Sequence, residues 1–401
     1  MIPLASIQTA AEKLKGHIVR TPIIHSATLS EGMGADVYLK LENLQKTGSF
    51  KVRGATYKLM RQRDAIGPGG VVAASAGNHA QGVALAARET GVPATIVMPE
   101  WASITKQEAT RSYGGKVVIH GTSIDASLEK ARELSQEGRT FLHPFDDNDI
   151  ITGQGTIGLE VLDDIPDADM ILVPVGGGGL ISGIASAVRA IRPEANVIGV
   201  EAAVCPSASE SRKAGKITRV AARSSIADGI SVKQVGNLCF DIIQEAVADV
   251  VLVEEEQITA AMLMLLERKR ILAEGSGAAP LAALMNGSVA APTAGKVVLI
   301  VSGGNVDSPL LGRIIGQGLL KRGRIMRLRV RLEDIPGALA GMLAAVARLK
   351  ANVLTIYHDR RVRGIPITET LVELELETRG PEHGEAVAEE LRSQGYDIIV
   401  K

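Results

Sequence analysis

The stretch "MILVPVGGGGLISGIASAVRAIRP", residues 170–193, joins an apolar run to a helical pattern through four consecutive glycines. The apolar run is typical of a parallel strand that is covered on both faces, and the residues after the glycines have the spacing of a helix. A strand, a tight glycine turn and a helix in this order favour an α/β fold.

The four glycines also predict a binding site. They let the backbone turn tightly and direct successive N–H groups at one point, where the helix N-terminus adds positive potential. A flexible turn is the alternative, but ordering four glycines costs much conformational entropy. The loop lacks the Lys-Ser/Thr ending of a nucleotide P-loop and the spaced glycines of a dinucleotide fold, which favours the phosphate monoester of a cofactor. The predicted loop comprises Gly176, Gly177, Gly178, Gly179 and Leu180.

Short apolar runs alternate with helical segments on both sides of this stretch. They lie at 71–75, 94–99, 116–121, 195–201 and 296–302. Near-continuous apolar runs of this length are typical of parallel strands that are covered by helices. The sequence therefore predicts one doubly wound parallel sheet, or two of them.

The pattern changes after residue 320. In "RLRVRLE", residues 327–333, apolar residues alternate with charged ones, which is typical of an antiparallel sheet with one face in water. With two helices between such strands, the predicted order is βαββαβ, the ferredoxin-like arrangement. We expect a first domain over residues 1–320 with a smaller subdomain nested at 45–150, a linker at 321–326, and a second domain over 327–401.

The composition favours a small-molecule partner. Lysine and arginine number 44 against 45 acidic residues, and aromatic residues make up 2% of the chain, which argues against nucleic acid or an anionic membrane as a partner. The two cysteines, Cys205 and Cys239, have no metal-ligand spacing, and such sparse use fits a reducing compartment. The first residues carry neither a signal peptide nor a spanning run, so we expect a cytoplasmic protein.

The segment "TGSFKVRGA", residues 47–55, surrounds Lys51 with small and apolar residues and places Arg53 two positions later. Burial and a neighbouring cation both lower the pKa of a lysine, and the free amine can then attack a carbonyl carbon or accept a proton. The alternative is an exposed surface lysine, which is what most lysines are.

Two further segments follow predicted strands. In "SAGNHAQG", residues 75–82, a hydroxyl, backbone N–H groups and an amide near a helix start suit a carboxylate or a phenolic oxygen, although the same residues can simply cap the helix. In "SGGN", residues 302–305, Ser302 stands at the carboxyl end of a parallel strand, which is the edge where ligands of open α/β sheets bind.

Together and in this order, these four segments resemble the fold type II family of pyridoxal-5′-phosphate enzymes, which has the tryptophan synthase β-like fold, and within it the threonine dehydratases, also called threonine ammonia-lyases. The resemblance covers residues 1 to about 320. It implies that Lys51 carries the cofactor, that Phe50 packs near the cofactor ring and that Asn78 bonds the 3′-oxygen. Ser302 would face the pyridine nitrogen, and the glycine loop would bind the phosphate. The loop that closes on the substrate carboxylate would comprise Ser75, Ala76, Gly77 and His79.

The resemblance implies deamination of L-threonine to 2-oxobutanoate and ammonia, with L-serine giving pyruvate. A neutral hydroxyl does not hold the pyridine nitrogen protonated, which favours rapid loss of the β-hydroxyl over transamination. Serine racemase, serine dehydratase and threonine synthase are alternatives on the same fold, and a non-catalytic amino-acid sensor is an alternative of another class. Relatives that racemise serine carry a serine where this chain has Ala76, and an alanine cannot accept a proton.

Residues 327–401 resemble an ACT domain, a regulatory module that usually pairs with a second copy and binds amino acids. In "LEDIPGALAGML", residues 332–343, the free N–H groups at a helix start suit a carboxylate ligand. The resemblance implies isoleucine or valine as candidate effectors and a homotetramer or homodimer, and it leaves open whether the role is isoleucine biosynthesis or catabolism. A dimerisation domain without a ligand is the alternative. The implied effector site comprises Asp334, Gly337, Ala338 and Leu339.

Relatives that depend on a divalent cation place an acidic residue shortly after the glutamate that matches Glu201, and this chain has Ser207 at that place. The sequence therefore predicts no tight magnesium site, and it leaves a monovalent ion open.

Overall fold

Three sheets organise the protein in the computed structural model, which describes residues 1–362 and 364–400. Two of the sheets lie in one compact unit, Met1–Asp307, and the third lies in another, Ser308–Lys401. Over the described ranges, no helix has both the length and the apolar composition needed to cross a bilayer.

The first unit alternates strands with helices. Its strands are β1 (Ile23–His25), β2 (Asp36–Leu41), β3 (Val71–Ala74), β4 (Ala94–Met98), β5 (Lys116–Ile119), β6 (Thr140–Phe141), β7 (Met170–Pro174), β8 (Asn196–Ala202), β9 (Asp249–Val253) and β10 (Lys296–Val301). Its α-helices are α1 (Leu4–Leu14), α2 (Ala27–Met33), α3 (Lys51–Gln62), α4 (Asn78–Thr90), α5 (Ile104–Ser112), α6 (Ile124–Gln136), α7 (Asn148–Asp164), α8 (Gly179–Ile191), α9 (Ser207–Ala214), α10 (Asn237–Ala246), α11 (Glu255–Met264) and α12 (Gly275–Met285).

The larger sheet has the order β1-β2-β10-β7-β8-β9, and every neighbouring pair is parallel except β1 with β2. Every residue of the central strand β7 is buried, because helices cover both faces of the sheet. The apolar runs that the sequence places far apart thus become neighbours: Val298 of β10 lies opposite Ile171 of β7. The predicted α/β fold is confirmed, and the sheet is parallel as predicted except at its edge strand β1.

The smaller sheet has the order β5-β4-β3-β6 and is entirely parallel. Strand β3 is fully buried, with α4 and α6 packed against it. The core here consists mostly of small side chains such as Ala73, Ala80, Val83 and Ala87. Small side chains let helices approach a sheet closely, which is how a chain poor in aromatic residues reaches a dense core. Of the two options that the sequence left open, the structure therefore has two sheets, one entirely parallel and one parallel except for the edge strand β1.

The second unit follows the predicted βαββαβ order after an initial helix. Its elements are α13 (Ser308–Lys321), β11 (Ile325–Glu333), α14 (Ala338–Arg348), β12 (Asn352–Asp359), β13 (Glu369–Glu377), α15 (Pro381–Ser393) and β14 (Asp397–Val400). The sheet is antiparallel with the order β12-β13-β11-β14, which is the ferredoxin-like arrangement.

Ion pairs cover the polar face of this antiparallel sheet. Arg327 lies 2.6 Å from Glu375, and Arg329 pairs with Glu373 on the same neighbouring strand. The apolar residues between the arginines of β11 are buried. The predicted alternation of a wet face and a buried face is confirmed, and opposite charges across strands stabilise it modestly.

The boundary between the units lies earlier than the sequence pattern indicated. Helix α13 packs against β11 and belongs to the second unit, whereas we expected the first domain to extend to residue 320. Residues 321–326 are not a linker, because Lys321 ends α13 and Ile325 begins β11. The change of pattern marks the end of a helix, and a helical pattern alone does not reveal which sheet the helix packs against.

Candidate active site

Lys51 is the first residue of α3 and lies beside the turn that follows β10. The amide of Phe50 donates to the carbonyl oxygen of Ser302 at 3.1 Å, and Ser49 pairs with Gly303 in an isolated bridge. Ser302 is 2% exposed. The two predicted segments that carry Lys51 and Ser302 therefore meet in the structure.

The amine of Lys51 is held inside the protein. Its Nζ donates to the carbonyl oxygen of Pro144 at 3.0 Å and lies 5.2 Å from the centre of the Phe50 ring. Burial lowers the pKa of Lys51 to about 8, while Cys239 and Glu274 act in the opposite direction. Near pH 8 much of the amine is neutral, and a neutral amine is both a nucleophile and a base.

Arg53 does not contribute to this low pKa, and that part of the prediction was wrong. Its guanidinium donates to the two oxygens of Glu42, at 2.8 and 2.7 Å, and to Glu160 at 2.6 Å. Successive residues of a helix are about 100° apart, so residues two positions apart point to opposite sides. The side chain of Arg53 is therefore fully buried on the opposite side of α3 from the side chain of Lys51.

The predicted glycine loop leads from β7 into α8. Gly178 has a φ of +96°, which favours glycine, and no side chain caps the helix. The N–H groups of residues 176–181 belong to buried residues, and none of them donates to a protein atom in the described part of the chain. Buried N–H groups are normally paired, so a set without protein acceptors at a helix N-terminus is typical of an anion site.

Close neighbours require glycine at two positions of this loop. A Cβ on Gly177 would lie 2.3 Å from the ring of Phe145, and a Cβ on Gly178 would lie 2.7 Å from Cβ of Cys239. Phe145 follows Pro144, whose carbonyl oxygen accepts the hydrogen bond from Lys51. The dipeptide of Pro144 and Phe145 thus contacts both the lysine and the glycine loop.

The sequence patterns did not reveal the segment that makes this connection. In it, Nδ1 of His143 accepts hydrogen bonds from the amides of Phe145 and Asp146, at 3.3 and 2.8 Å. The carboxylate of Asp146 accepts from the first two amides of α10, both at 2.9 Å. One signal was present, because the chain has only four phenylalanines and two of them, Phe141 and Phe145, flank this histidine.

Asn78 begins α4, and both ends of its side-chain amide are held. Its Nδ2 donates to Oε1 of Glu274 at 2.7 Å, and its Oδ1 accepts from Nδ2 of Asn305 at 2.8 Å. Glu274 is buried, and burial raises the pKa of its carboxyl group to about 7. No motif in the sequence pointed to Glu274.

The other predicted substrate-binding residues lie around the start of α4. Ser75, Ala76 and Gly77 are half-buried, and Oγ of Ser75 accepts from the amide of Gly77 at 3.1 Å. His79 is buried, and its Nε2 lies 3.4 Å from the carbonyl oxygen of Leu142. Burial, and then the charge of Lys51, lower the pKa of His79 to about 3. Its ring is therefore neutral at pH 7 and offers no cation to a carboxylate.

Glu201 has a buried carboxyl group near the end of β8. Its oxygens accept from the amides of Ala208 and Ser209, each at 2.8 Å, and burial raises its pKa to about 7. Ser207, the first residue of α9, is also buried. Among the described residues, no group of three or more His, Cys, Asp or Glu side chains is placed to hold a metal ion.

The predicted effector residues lie at the start of α14 in the second unit. Oδ1 of Asp334 lies 2.9 Å from Nε of Arg360, so this carboxylate is paired within the unit. Gly337 has a φ of +95° and precedes the helix without a side-chain cap. Ala338 and Leu339, the first two helical residues, are half-buried.

The residues around Lys51 fit pyridoxal phosphate, which combines an aldehyde with a phosphate monoester. The buried N–H groups of residues 176–181 suit the phosphate, because they have no protein acceptor and lie at a helix N-terminus. The amine of Lys51, with a pKa of about 8, suits the aldehyde.

Comparisons with known proteins agree with this fit. Residues 14–303 match the family described as "Pyridoxal-phosphate dependent enzyme". The chain is 48% identical to the L-threonine ammonia-lyase of Geobacter sulfurreducens, with 100% of both chains covered. It is similar to the structure of maize serine racemase, with a TM-score of 0.75, 35% identity, and 80% of this chain and 98% of that chain covered.

It is also similar to the processed form of threonine deaminase isoform 2 from Solanum lycopersicum, with a TM-score of 0.74, 34% identity, and 79% of this chain and 88% of that chain covered. The family match spans Lys51, the glycine loop and Ser302. The chain therefore belongs to the family of pyridoxal-phosphate dependent enzymes, and pyridoxal phosphate is its cofactor.

Proposed function

We propose that this protein deaminates L-threonine to 2-oxobutanoate and ammonia, and L-serine to pyruvate as a side activity. The observation that carries the proposal is a buried lysine amine with a pKa of about 8, which Pro144 and Phe145 connect to a loop of N–H groups without protein acceptors. The relative named as an L-threonine ammonia-lyase, which matches over its full length, supports the choice of substrate.

The chain's own residues supply the binding and the base. Pyridoxal phosphate, when bound, withdraws electrons from the Cα of an amino acid. The amides of residues 176–181 would hold its phosphate, and the neutral Nζ of Lys51 would accept the Cα proton of the substrate. The Cβ–O bond would then break, the hydroxyl group would leave as water after taking up one proton, which balances the proton that Cα lost, and a later addition of water would release ammonia and the 2-oxo acid. One water is lost and one is consumed, so the atoms balance.

The remaining assignments follow the resemblance. Phe50, Asn78 and Ser302 would contact the cofactor ring. Phe50 immediately precedes α3, Asn78 begins α4, and Ser302 lies in the turn after β10 that bonds the amide of Phe50. The loop of Ser75, Ala76 and Gly77 would bind the substrate carboxylate through its hydroxyl and N–H groups. His79 would act there only as a neutral ring, because its pKa is about 3.

Serine racemisation is a second candidate, because the structure of a serine racemase is similar to this one. Racemisation needs a proton acceptor on the second face of Cα. Relatives that racemise serine carry a serine at the position of Ala76, and the methyl group of an alanine cannot accept a proton. We therefore expect little D-serine from L-serine.

The test is to incubate the purified holoenzyme with L-threonine, L-serine and O-phosphohomoserine, and to measure 2-oxo acids, phosphate and D-serine. We expect 2-oxobutanoate from threonine, and Lys51→Ala should lower its rate on the order of a thousandfold or more. Lys46→Ala is the matched control, because Lys46 is exposed and its Nζ lies 2.9 Å from the exposed Glu89. An undiminished rate in Lys51→Ala would end the proposal, and a protein that makes no product from any of the three would favour the sensor.

We further propose that the second unit is an ACT-like regulatory domain that binds isoleucine or valine, and that the protein is a homodimer or homotetramer. The start of α14, which has no side-chain cap, supports a carboxylate ligand there. Titration calorimetry with each amino acid, on the wild type and on Asp334→Ala, tests the effector site. Sedimentation of the wild type tests the assembly.

A further inference from the structure

Glu274 is a buried carboxyl group to which the proposed function gives no role. It is 6% exposed and immediately precedes α12. Its amide donates to the carbonyl oxygen of Gly303 at 3.0 Å, and its Oε1 accepts from Nδ2 of Asn78 at 2.7 Å. Because burying a carboxyl group costs free energy, its place among the site residues indicates a role in the site.

The carboxyl group lies against the same turn as the start of the Lys51 helix. A Cβ on Gly303 would lie 2.4 Å from Oε1 of Glu274 and 3.2 Å from Nδ2 of Asn78, so both side chains pack directly on this glycine. The carbonyl group just before Gly303 accepts the hydrogen bond from the amide that precedes Lys51. Glu274 and Lys51 are therefore connected through one short turn.

The amide of Asn78 has a single orientation in this arrangement. Nδ2 of Asn305 donates to Oδ1 of Asn78 at 2.8 Å and to the carbonyl oxygen of Thr47 at 2.8 Å. Oδ1 of Asn78 thus faces a donor, and its Nδ2 faces the carboxyl group of Glu274. A residue at 274 that cannot accept a hydrogen bond would leave this amide free to turn.

We propose that Glu274 is a positioning residue of the active site, which orients the Asn78 amide and serves as the acidic counter-group of Lys51 across the turn at Gly303. The catalytic meaning of this inference rests on the proposed function. The electrostatic coupling between the two residues does not depend on it.

Glu274 changes charge close to neutral pH. Burial raises its pKa to about 7 and the charge of Asp228 adds to the rise, while the hydrogen bond from Asn78 and the charge of Lys106 oppose it. Lys106 is itself shared, because its Nζ lies 3.1 Å from Asp228 and 4.0 Å from Asp307. The groups that face Glu274 are Asp228, Lys106, Lys51, the side chain of Asn78 and the amide of Asn305.

The sign of the coupling follows from these charges. Above pH 7 the carboxylate of Glu274 is charged, and it raises the pKa of Lys51 against the burial that lowers it. Below pH 7 Glu274 becomes neutral and Lys51 loses this counter-charge, so the two groups titrate as a coupled pair. The other acidic group that acts on Lys51 is the thiol of Cys239. Burial raises the pKa of this thiol to about 12, so it stays protonated.

The first experiment measures the titration of Lys51 directly. Full-length protein freed of cofactor is acylated between pH 6 and 10, and the modified fraction of the Lys51 peptide is measured by mass spectrometry. Glu274→Gln keeps an oxygen that can accept from Asn78 but removes the charge, so we expect the labelling midpoint to fall by about 0.5–1 pH unit. Glu256→Gln, on an exposed residue of α11, is the control and should leave the midpoint unchanged.

The second experiment follows the holoenzyme, with L-threonine as substrate. In Glu274→Gln the acid limb of the kcat profile should move to lower pH, with the thermal unfolding midpoint close to that of the wild type. Glu274→Ala, which also releases the Asn78 amide, should lower kcat further. A labelling midpoint in Glu274→Gln that matches the wild type would overturn the inference.

The two proposals fail separately. A shifted labelling midpoint in a protein whose wild type makes no 2-oxobutanoate would support the coupling and overturn the proposed function. Deamination by the wild type with an unshifted midpoint in Glu274→Gln would support the proposed function and overturn the coupling.

Discussion

Burial, rather than a neighbouring cation, lowers the pKa of Lys51, so that its amine is partly neutral near pH 8. The sequence predicted the low pKa from the small and apolar residues around Lys51, and burial confirms that reason. It also suggested a contribution from Arg53, which points to the opposite side of α3. The helical period places the side chains of Lys51 and Arg53 on opposite sides of α3. Which of these sides faces the active site depends on how α3 packs.

At the glycine loop, a single methyl group should disturb the cofactor site. Gly177→Ala places a Cβ 2.3 Å from the ring of Phe145, and that ring adjoins the carbonyl group that holds Lys51. We expect the dissociation constant of pyridoxal phosphate to rise at least about tenfold and the free energy of unfolding to fall by about 1–3 kcal/mol. Cofactor titration by absorbance and urea unfolding measure the two effects. Gly32→Ala is the control, because its Cβ would meet nothing within 4 Å, and equal affinities for the two variants would contradict the prediction.

His79 should make the protein less stable as the pH falls. Its pKa is about 3 in the folded protein and about 6.5 when unfolded, so the unfolded state binds more protons below pH 6.5. Between pH 7 and pH 5 we expect this residue to lower the free energy of unfolding by about 1–2 kcal/mol. The raised pKa values of Glu201 and Glu274 have the opposite effect in this range.

Comparing the wild type with His79→Asn removes the contribution of the two glutamates, because both proteins contain them. Urea unfolding at several pH values should show the two proteins converging in stability as the pH falls. Parallel pH dependences would contradict the assignment of a neutral, buried imidazole.

Among the elements, α3 is anchored by a buried network of charges. Arg53 bonds Glu42 and Glu160, and Lys40 lies 2.5 Å from Glu160. The network ties α3 to β2, to the short turn after it and to α7. Only Arg53 lies in a segment that the sequence singled out, and its partners formed no motif, because a buried ion pair between distant residues has no local spacing.

Breaking this network should cost far more than breaking a surface pair. Arg53→Met leaves Glu42 buried without its main partner, and removing one member of a buried pair costs about 3–5 kcal/mol. Arg139→Met is the control, because Arg139 pairs with the exposed Glu137, and such pairs contribute less than about 1 kcal/mol. Urea titration measures the free energy of unfolding of the two variants. A similar loss of stability in Arg53→Met and Arg139→Met would refute a structural role for the network.

The whole molecule consists of two units with different sheet types. The unit Met1–Asp307, which has mostly parallel strands, contains every residue proposed to bind cofactor or substrate, and the unit Ser308–Lys401, which has an antiparallel sheet, contains the proposed effector residues. The proposed catalytic residues and the proposed effector residues therefore lie in units that have separate hydrophobic cores. The full-length match to an L-threonine ammonia-lyase indicates that the relative has both parts.

Removal of the second unit should separate these two properties. A chain ending at Asp307 should keep deamination of L-threonine within about tenfold of the full chain, because it retains its own core. It should lose any response of the rate to isoleucine or valine. Steady-state rates with and without each amino acid measure this, and a truncated chain that still responds would place the effector site in the first unit.

The sequence by itself determined six of the strands of the first unit, the two kinds of sheet and the glycine turn between β7 and α8, and it singled out Lys51, because each depends on the order of residues within a short segment. Only the tertiary structure decided the direction of Arg53, the unit to which α13 belongs, and the roles open to His143, Pro144 and Glu274. Lys51 and Pro144 are 93 residues apart in the chain, and Asn78 and Glu274 are 196 apart. Contacts over such separations arise when helices and sheets pack together, and no local pattern of residues encodes them.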